Sequence, residues 1–214
     1  MVGRPPRATV NVLDLFSGTG GFSLGLEAAG MRTVAFCEAD PDCRELLAHR
    51  WPGIPIYDDI RTLTGDQIER DVGPIDVICG GFPCQPFSVA GKRIGIHDDR
   101  HLWPEMLRVI TEVRPSWVIG ENVAGIGSMA LDAGEIVVES RSITRDPDGD
   151  HYAAVLSREE TLLLNAICED LEAVGYEVQP FDIPACAVGA PHRRHRIWVV
   201  ANSELSAGRR SICK

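Results

Sequence analysis

The segment Gly80-Gly81-Phe82-Pro83-Cys84-Gln85-Pro86-Phe87-Ser88 sets a cysteine between two prolines, directly after a short apolar run. Proline fixes its own φ and restricts the residue before it, so the thiol is held in a narrow range of positions. A thiolate is a strong nucleophile, and nearby cations lower its pKa. Lys92 and Arg93 follow closely in the sequence. A buried structural thiol is the competing reading of Cys84. Glu121-Asn122 ends a second apolar run, Trp117 to Gly120. If the two runs are adjacent strands, Glu121 comes near Cys84. A carboxyl group beside a nucleophilic cysteine suits covalent attack coupled to proton transfer to the substrate.

Two further segments carry chemistry. Ser17-Gly18-Thr19-Gly20-Gly21 follows the apolar run Val10 to Leu15 and precedes a helical stretch. A strand, a glycine-rich turn and a helix start form a nucleotide-cofactor site through backbone geometry. Ser23 takes the place of the third glycine of the dinucleotide fingerprint. Glu38, 20 residues beyond Gly18, can accept hydrogen bonds from two ribose hydroxyls. These features fit either NAD or the adenosyl part of S-adenosylmethionine, with a tight turn plus a surface acid as the bland alternative. The last segment is His192-Arg193-Arg194-His195-Arg196. Arg194 and Arg196 share one side of a strand that begins early, where they can grip a phosphate or a base carbonyl. A solvated charged face is the other reading. His192 and His195 lack correctly spaced partners for zinc, so no metal site is expected.

The elements that must position these groups alternate. Strands are expected at Val10–Leu15, Thr33–Glu38, Ile54–Tyr57, Ile75–Cys79 and Trp117–Gly120. Helices are expected at Phe22–Ala29, Pro41 to about Arg50 with Asp40 as N-cap, Thr64–Arg70, Leu102–Val113 and Glu159–Val174. This alternation predicts a mostly parallel, doubly wound sheet with helices on both faces. Tyr176–Ile183 and Arg196–Ala201 are expected as a hairpin-like final pair. Residues 131–157 break the rhythm and read as a surface insertion; 203–214 read as an irregular tail. Asp146-Pro147-Asp148-Gly149-Asp150 resembles a calcium loop only superficially, because its glycine and terminal acid are misplaced.

The 214 residues fit one domain of ordinary composition, 44% hydrophobic and 24% charged. Seven cysteines without a CxxC pair suggest reduced thiols, with Cys37, Cys79 and Cys168 in apolar runs. No signal peptide and no membrane span are evident, which points to a cytoplasmic protein. The net charge of -10 disfavours a general nucleic-acid surface, but the basic residues cluster, and a local patch can still bind DNA.

Together these segments resemble the DNA cytosine-5 methyltransferase family. Asp14-Leu15-Phe16-Ser17-Gly18-Thr19-Gly20-Gly21 is similar to its cofactor loop, and Gly81 to Ser88 to its catalytic loop. Glu121-Asn122-Val123 is similar to its ENV motif, and Arg194-His195-Arg196 to its RxR. All four occur in the family's order. The resemblance implies an α/β, Rossmann-like S-adenosylmethionine-dependent methyltransferase fold, its sheet mostly parallel and doubly wound with an antiparallel C-terminal strand. It implies that Cys84 attacks C6 of a cytosine flipped out of duplex DNA, that Glu121 contacts N3 and the exocyclic amine, and that Arg194 and Arg196 steady the loop and contact the base or its phosphate. Asp14, Phe16, Ser17, Gly18, Gly20, Gly21, Glu38, Asp59 and Leu102 then form the cofactor site, with Phe16 and Leu102 on the adenine, Glu38 on the ribose and Asp59 on the adenine amino group. Pro83, Gln85, Ser88 and Asn122 meet the substrate.

Two departures stand out. His192 replaces the glutamine commonly found before RxR, and only about a dozen residues follow Asn202, where the family carries a target-recognition domain. One catalytic domain over 1–202, with no target-recognition domain, is therefore expected. A cofactor-binding module paired with a separate recognition subunit stands as an alternative, as does methylation of tRNA cytosine. An NAD-dependent oxidoreductase lacks the third glycine.

Overall fold

The structure, a computed structural model, describes residues 9–83, 102–128 and 162–203. Seven strands form one sheet: β1 (Asn11–Leu15), β2 (Arg32–Cys37), β3 (Ile56–Tyr57), β4 (Val77–Gly80), β5 (Trp117–Val123), β6 (Tyr176–Pro184) and β7 (His195–Ser203). Their order is β3-β2-β1-β4-β5-β7-β6. The first five run parallel; β7 is antiparallel to both β5 and β6. The expected doubly wound sheet and its antiparallel C-terminal strand are both present. Residues 84–101, 129–161 and 204–214 lie outside the described residues, and with them Cys84, the insertion and the tail beyond Ser203.

Local chemistry explains the helices. Asp40 caps α2 (Pro41–Arg50), accepting from the N–H groups of Asp42 and Cys43, with Pro41 at the first position. Thr64 caps α3 (Gly65–Val72) by accepting from Gln67 N–H. α1 (Gly21–Ala28) stops at Gly30, whose φ of 88° suits glycine. α4 (Trp103–Val113) and α5 (Leu162–Ala173) are joined by a Trp103 Nε1 hydrogen bond to Asp170, 2.8 Å.

Alternation along the strands builds two cores. Leu13, Leu15, Ile78 and Val118 pack on one face in a cluster with Met106 and Ile110 of α4 and Ile167 and Leu171 of α5. On the other face, Val12, Val77 and Cys79 meet Phe22 and Leu26 of α1. That second face is covered only in part. Trp117, Phe181 and Ile183 are exposed on it, and a shallow groove there is lined by Trp117, Glu177, Gln179, Phe181, Val200 and Asn202. Strand β6 is the sheet's outer edge and carries Pro180 and Pro184. Among the described residues, no helix is long and apolar enough to cross a membrane.

Strand ends differ from expectation where partners decide them. β5 continues to Val123 instead of stopping at Gly120, because β7 pairs with it through Asn122↔Ile197 and Val123↔Arg196. β7 begins at His195, so Arg194 lies in the preceding connection. The Arg193 and Arg194 carbonyls there accept from Ala185 N–H.

Asp14 joins α1 to the sheet. Its side chain is fully buried, and Oδ2 accepts from Ser23 Oγ at 2.7 Å and Ser23 N–H at 3.3 Å. It is paired across the sheet with Cys79. Burial, reinforced by Glu38, pushes the Asp14 carboxyl up to about 7 against the pull of the Ser23 and Cys79 hydrogen bonds. Burial beside Asp14 pushes the Cys79 thiol well up in turn, so it is an inert thiol. The Asp14 side chain therefore serves the helix–strand junction through Oδ2.

The helix start is braced from below. Gly20 has φ 84°, and a Cβ there would lie 2.5 Å from ring carbons of Trp51. The Trp51 Nε1 donates to the Glu27 carboxylate, and Arg50 donates to Thr19 O at 2.9 Å.

Two outcomes follow from this junction. Folded Asp14 holds a proton that the unfolded chain releases near pH 4, so its contribution to stability falls as pH rises from about 4 to about 7, by up to roughly 4 kcal/mol. Urea midpoints across that range should diverge between wild type and Asp14→Asn, the slope being weaker in the variant; a constant difference between the two curves contradicts the assignment. Gly20→Ala combines a left-handed backbone with overpacking and should cost about 2–4 kcal/mol. Denaturant unfolding should show the double variant with Trp51→Leu losing less than the sum of the singles, and strict additivity would refute the steric account.

Candidate active site

Strand order reverses between β1 and β4, so the loops leaving their carboxyl ends flank a crevice of the kind that binds ligands in open α/β sheets. Leu15 is level with Gly80, and Gly80 with Gly120. The glycine turn, the segment that leads toward Cys84, and Glu121 thus leave one rim side by side.

The turn after β1 is bent by φ values of 54° at Phe16, 52° at Gly18 and 84° at Gly20. Ser17 locks it: Oγ donates to Asp14 O at 2.6 Å, and Gly20 N–H donates to Ser17 O at 2.8 Å. The Ser17 side chain is buried in this role, so at this residue the turn offers a ligand main chain. Open space lies where side chains on Gly18 and Gly21 would be. Glu38 is half-buried at the end of β2, with Oε2 accepting from Gly18 N–H at 2.6 Å and Oε1 from Asp40 N–H at 2.8 Å. A carboxylate has about four acceptor sites, so two such bonds leave capacity for ribose hydroxyls. Phe16 and Leu102 pack at the margin of the same core cluster as Tyr57. Asp59 is partly exposed in the turn after β3. Flat apolar surface, one carboxylate beside a glycine turn and a second farther along the rim fit a nucleoside carrying a cationic substituent.

On the other side of the crevice, Glu121 Oε1 accepts from Arg196 Nε at 2.7 Å, with both side chains about three-quarters buried. Its Oε2 faces Gly81, where a Cβ would lie 3.3 Å away. Arg196 also donates to His195 O at 2.9 Å. Arg194 is exposed and does not share this contact. Asn122 is buried: Nδ2 donates to Phe82 O at 3.0 Å, and Oδ1 accepts from Val123 N–H at 2.8 Å. Both ends of its amide are engaged by the protein. Asn122 therefore ties the loop to β5 through Phe82. Phe82 is itself anchored, its ring 5.0 Å from Trp103 and tight against Gly120. The chain is thus pinned at Phe82, two residues short of Cys84. Cys84, Gln85 and Ser88 lie outside the described residues. Among those described, no three His, Cys, Asp or Glu side chains are placed to hold a metal ion.

Several contributors escape sequence reasoning. Ser23 had a signal, since it occupies the third glycine position of the fingerprint. Trp51 and Arg50 had none, because a brace contributed by the next helix has no fixed spacing from the turn. The same is true of the Phe82 carbonyl, a backbone acceptor.

Known proteins resemble this chain in sequence and in fold. The sequence pattern of the C-5 cytosine-specific DNA methylase family matches residues 10–136 and 153–208. The chain is 33% identical over 197 residues to the Type II methyltransferase M.AquIA of Picosynechococcus sp., covering 89% of this chain and 71% of that protein. It is 42% identical over 123 residues to the Type II methyltransferase M.PspPI of Psychrobacter sp., covering 56% and 29%. The crystal structure of S. pombe Dnmt2 methyltransferase shares the fold, with TM-score 0.63 and 20% identity over 96% of this chain and 56% of that one. The chain thus spans about half the length of that structure and less than a third of M.PspPI. The family's members share an S-adenosylmethionine-dependent methyltransferase fold, and on the extent of the sequence match this chain belongs to the C-5 cytosine-specific DNA methylases.

Proposed function

We propose that the protein transfers a methyl group from S-adenosylmethionine to C5 of cytosine in duplex DNA, through a covalent bond between Cys84 and C6 of a flipped-out base. The observation that carries this reading is the convergence, at one rim of the sheet, of the glycine turn, the pinned approach to Cys84 and the Glu121–Arg196 pair.

Cytosine C5 is a poor nucleophile until something adds at C6. The Cys84 thiolate supplies the electron pair that forms the sulfur–C6 bond. Glu121, oriented by Arg196, faces N3 and the exocyclic amine; it delivers a proton to N3 as the electron pair moves onto the ring and takes it back when the thiolate leaves. Glu38 holds the ribose, Phe16 and Leu102 flank the adenine, and Asp59 accepts from its amino group. The cofactor supplies an electrophilic methyl on a sulfonium. Loss of the C5 proton to solvent or a nearby base then breaks the sulfur–C6 bond and returns the thiolate. Flipping the base costs a few kcal/mol, which contacts in the pocket must offset. The acidic chain needs only a local basic patch for this, and Arg194 and Arg196 stand at the rim.

Transfer of labelled methyl groups tests the proposal, with duplex DNA of mixed sequence and tRNA offered in parallel. Wild type should label DNA, Cys84→Ala should not, and Glu121→Gln should be slower by about 10²–10⁴. Equal labelling by wild type and Cys84→Ala, or labelling of tRNA alone, would overturn it.

A further inference from the structure

Arg108, in the middle of α4, belongs to none of the motifs above, yet its guanidinium is engaged on several sides. NH1 donates to Leu63 O at 2.9 Å and NH2 to Ile60 O at 2.7 Å. Glu105 and Glu112 hold it in place, each at 2.9 Å. Glu112 also accepts from Gly65 N–H at 2.7 Å, and a Cβ on Gly65 would lie 2.8 Å from Glu112 Cβ. The turn from Asp59 to Leu63 is thereby drawn tightly onto α4.

That turn has little regular structure of its own. Asp59 O accepts from the N–H groups of Thr62 and Leu63, both at 3.2 Å. Asp59 Oδ1 accepts from Arg61 N–H at 2.9 Å. Ile60 and Leu63 are anchored in the core. Their carbonyls are the points at which the turn is fixed to a rigid element, and Arg108 occupies both. The same helix starts directly after Leu102, whose carbonyl accepts from Met106 N–H at 3.1 Å. One helix therefore carries Leu102 directly and sets the Asp59 turn through Arg108.

We propose that Arg108 is a positioning residue that fixes Asp59 against the adenine edge and so sets the preference for a 6-amino over a 6-oxo purine. The proposal rests on the reading of Asp59 as the acceptor for the adenine amino group. A carboxylate accepts from a 6-amino group but faces a second acceptor in a 6-oxo purine. That discrimination depends on direction and distance, whereas stacking on Phe16 and Leu102 depends mainly on area. Loosening the turn therefore weakens selectivity more than it weakens ring binding.

Isothermal titration of the full chain with S-adenosylhomocysteine and S-inosylhomocysteine tests this. Wild type should prefer the adenosyl ligand by at least about tenfold, since a site built to hydrogen-bond a group rejects the analogue lacking it. Arg108→Gln should lower that preference about fivefold or more, chiefly by weakening the adenosyl ligand. Arg108→Lys keeps the charge without the planar fork and should be intermediate; it also serves if the glutamine variant does not fold. Tyr176→Phe removes a buried hydrogen bond to Pro115 O and should lower thermal stability with the ligand ratio unchanged. Equal weakening of both ligands in the Arg108 variants, or an unchanged ratio, overturns the proposal and leaves Arg108 a structural staple. Failure of the wild-type chain to bind S-adenosylhomocysteine would overturn the cofactor reading itself, and the proposal with it.

Discussion

A Cβ on Gly80 would lie 2.7 Å from the Leu15 carbonyl oxygen. No side chain fits between β1 and β4 at that level, and the two strands end there together. Gly81 and Gly120 continue this bare strip toward β5, one against Glu121 and the other against the Phe82 ring. In the proposed reaction this strip would fix how near a donor over the glycine turn comes to a base beside Glu121. A methyl transfer needs its reacting atoms near 3–3.5 Å, so backbone proximity of this kind is the prerequisite on which every side-chain role depends.

Carboxylates do much of the positioning in this acidic chain, and each has a different task. Asp14 is buried and joins helix to strand. Glu38 gathers two main-chain N–H groups at the end of β2 while keeping acceptor capacity. Glu112 ties the start of α3 to α4. Glu121 is held by Arg196. These acids take up donors that local geometry would otherwise leave unmatched. The net charge of -10 therefore reflects internal wiring as well as surface.

Sequence reading reaches the fold because apolar runs and caps are local signals. Asp40-Pro41 marks the start of α2, and Val77–Gly80 is apolar as an interior parallel strand should be. It reaches Glu121 and Glu38 because strand ends in a doubly wound sheet share one rim. It fails where a role is decided across the sheet. Nothing local says that Asp14 faces α1, since this depends on the alternation phase of β1. Nothing local says that Asn122 holds the Phe82 carbonyl, since that contact depends on β5 extending past Gly120. Arg194 and Arg196 separate because the strand starts at His195, a boundary set by pairing with Pro184. The tie made by Arg108 is invisible in sequence: Glu105 and Glu112 stand at helical spacing from it, but the carbonyls it holds are more than forty residues away.

The outer strand β6 has a consequence for assembly. A proline in a paired strand directs its missing N–H position outward, so Pro180 and Pro184 interrupt the row of donors that another strand would need. The sheet cannot readily be lengthened on this side by templating. Beside this edge Trp117 and Phe181 present apolar surface, where contact is chosen by side-chain shape and not by a hydrogen-bonded ladder.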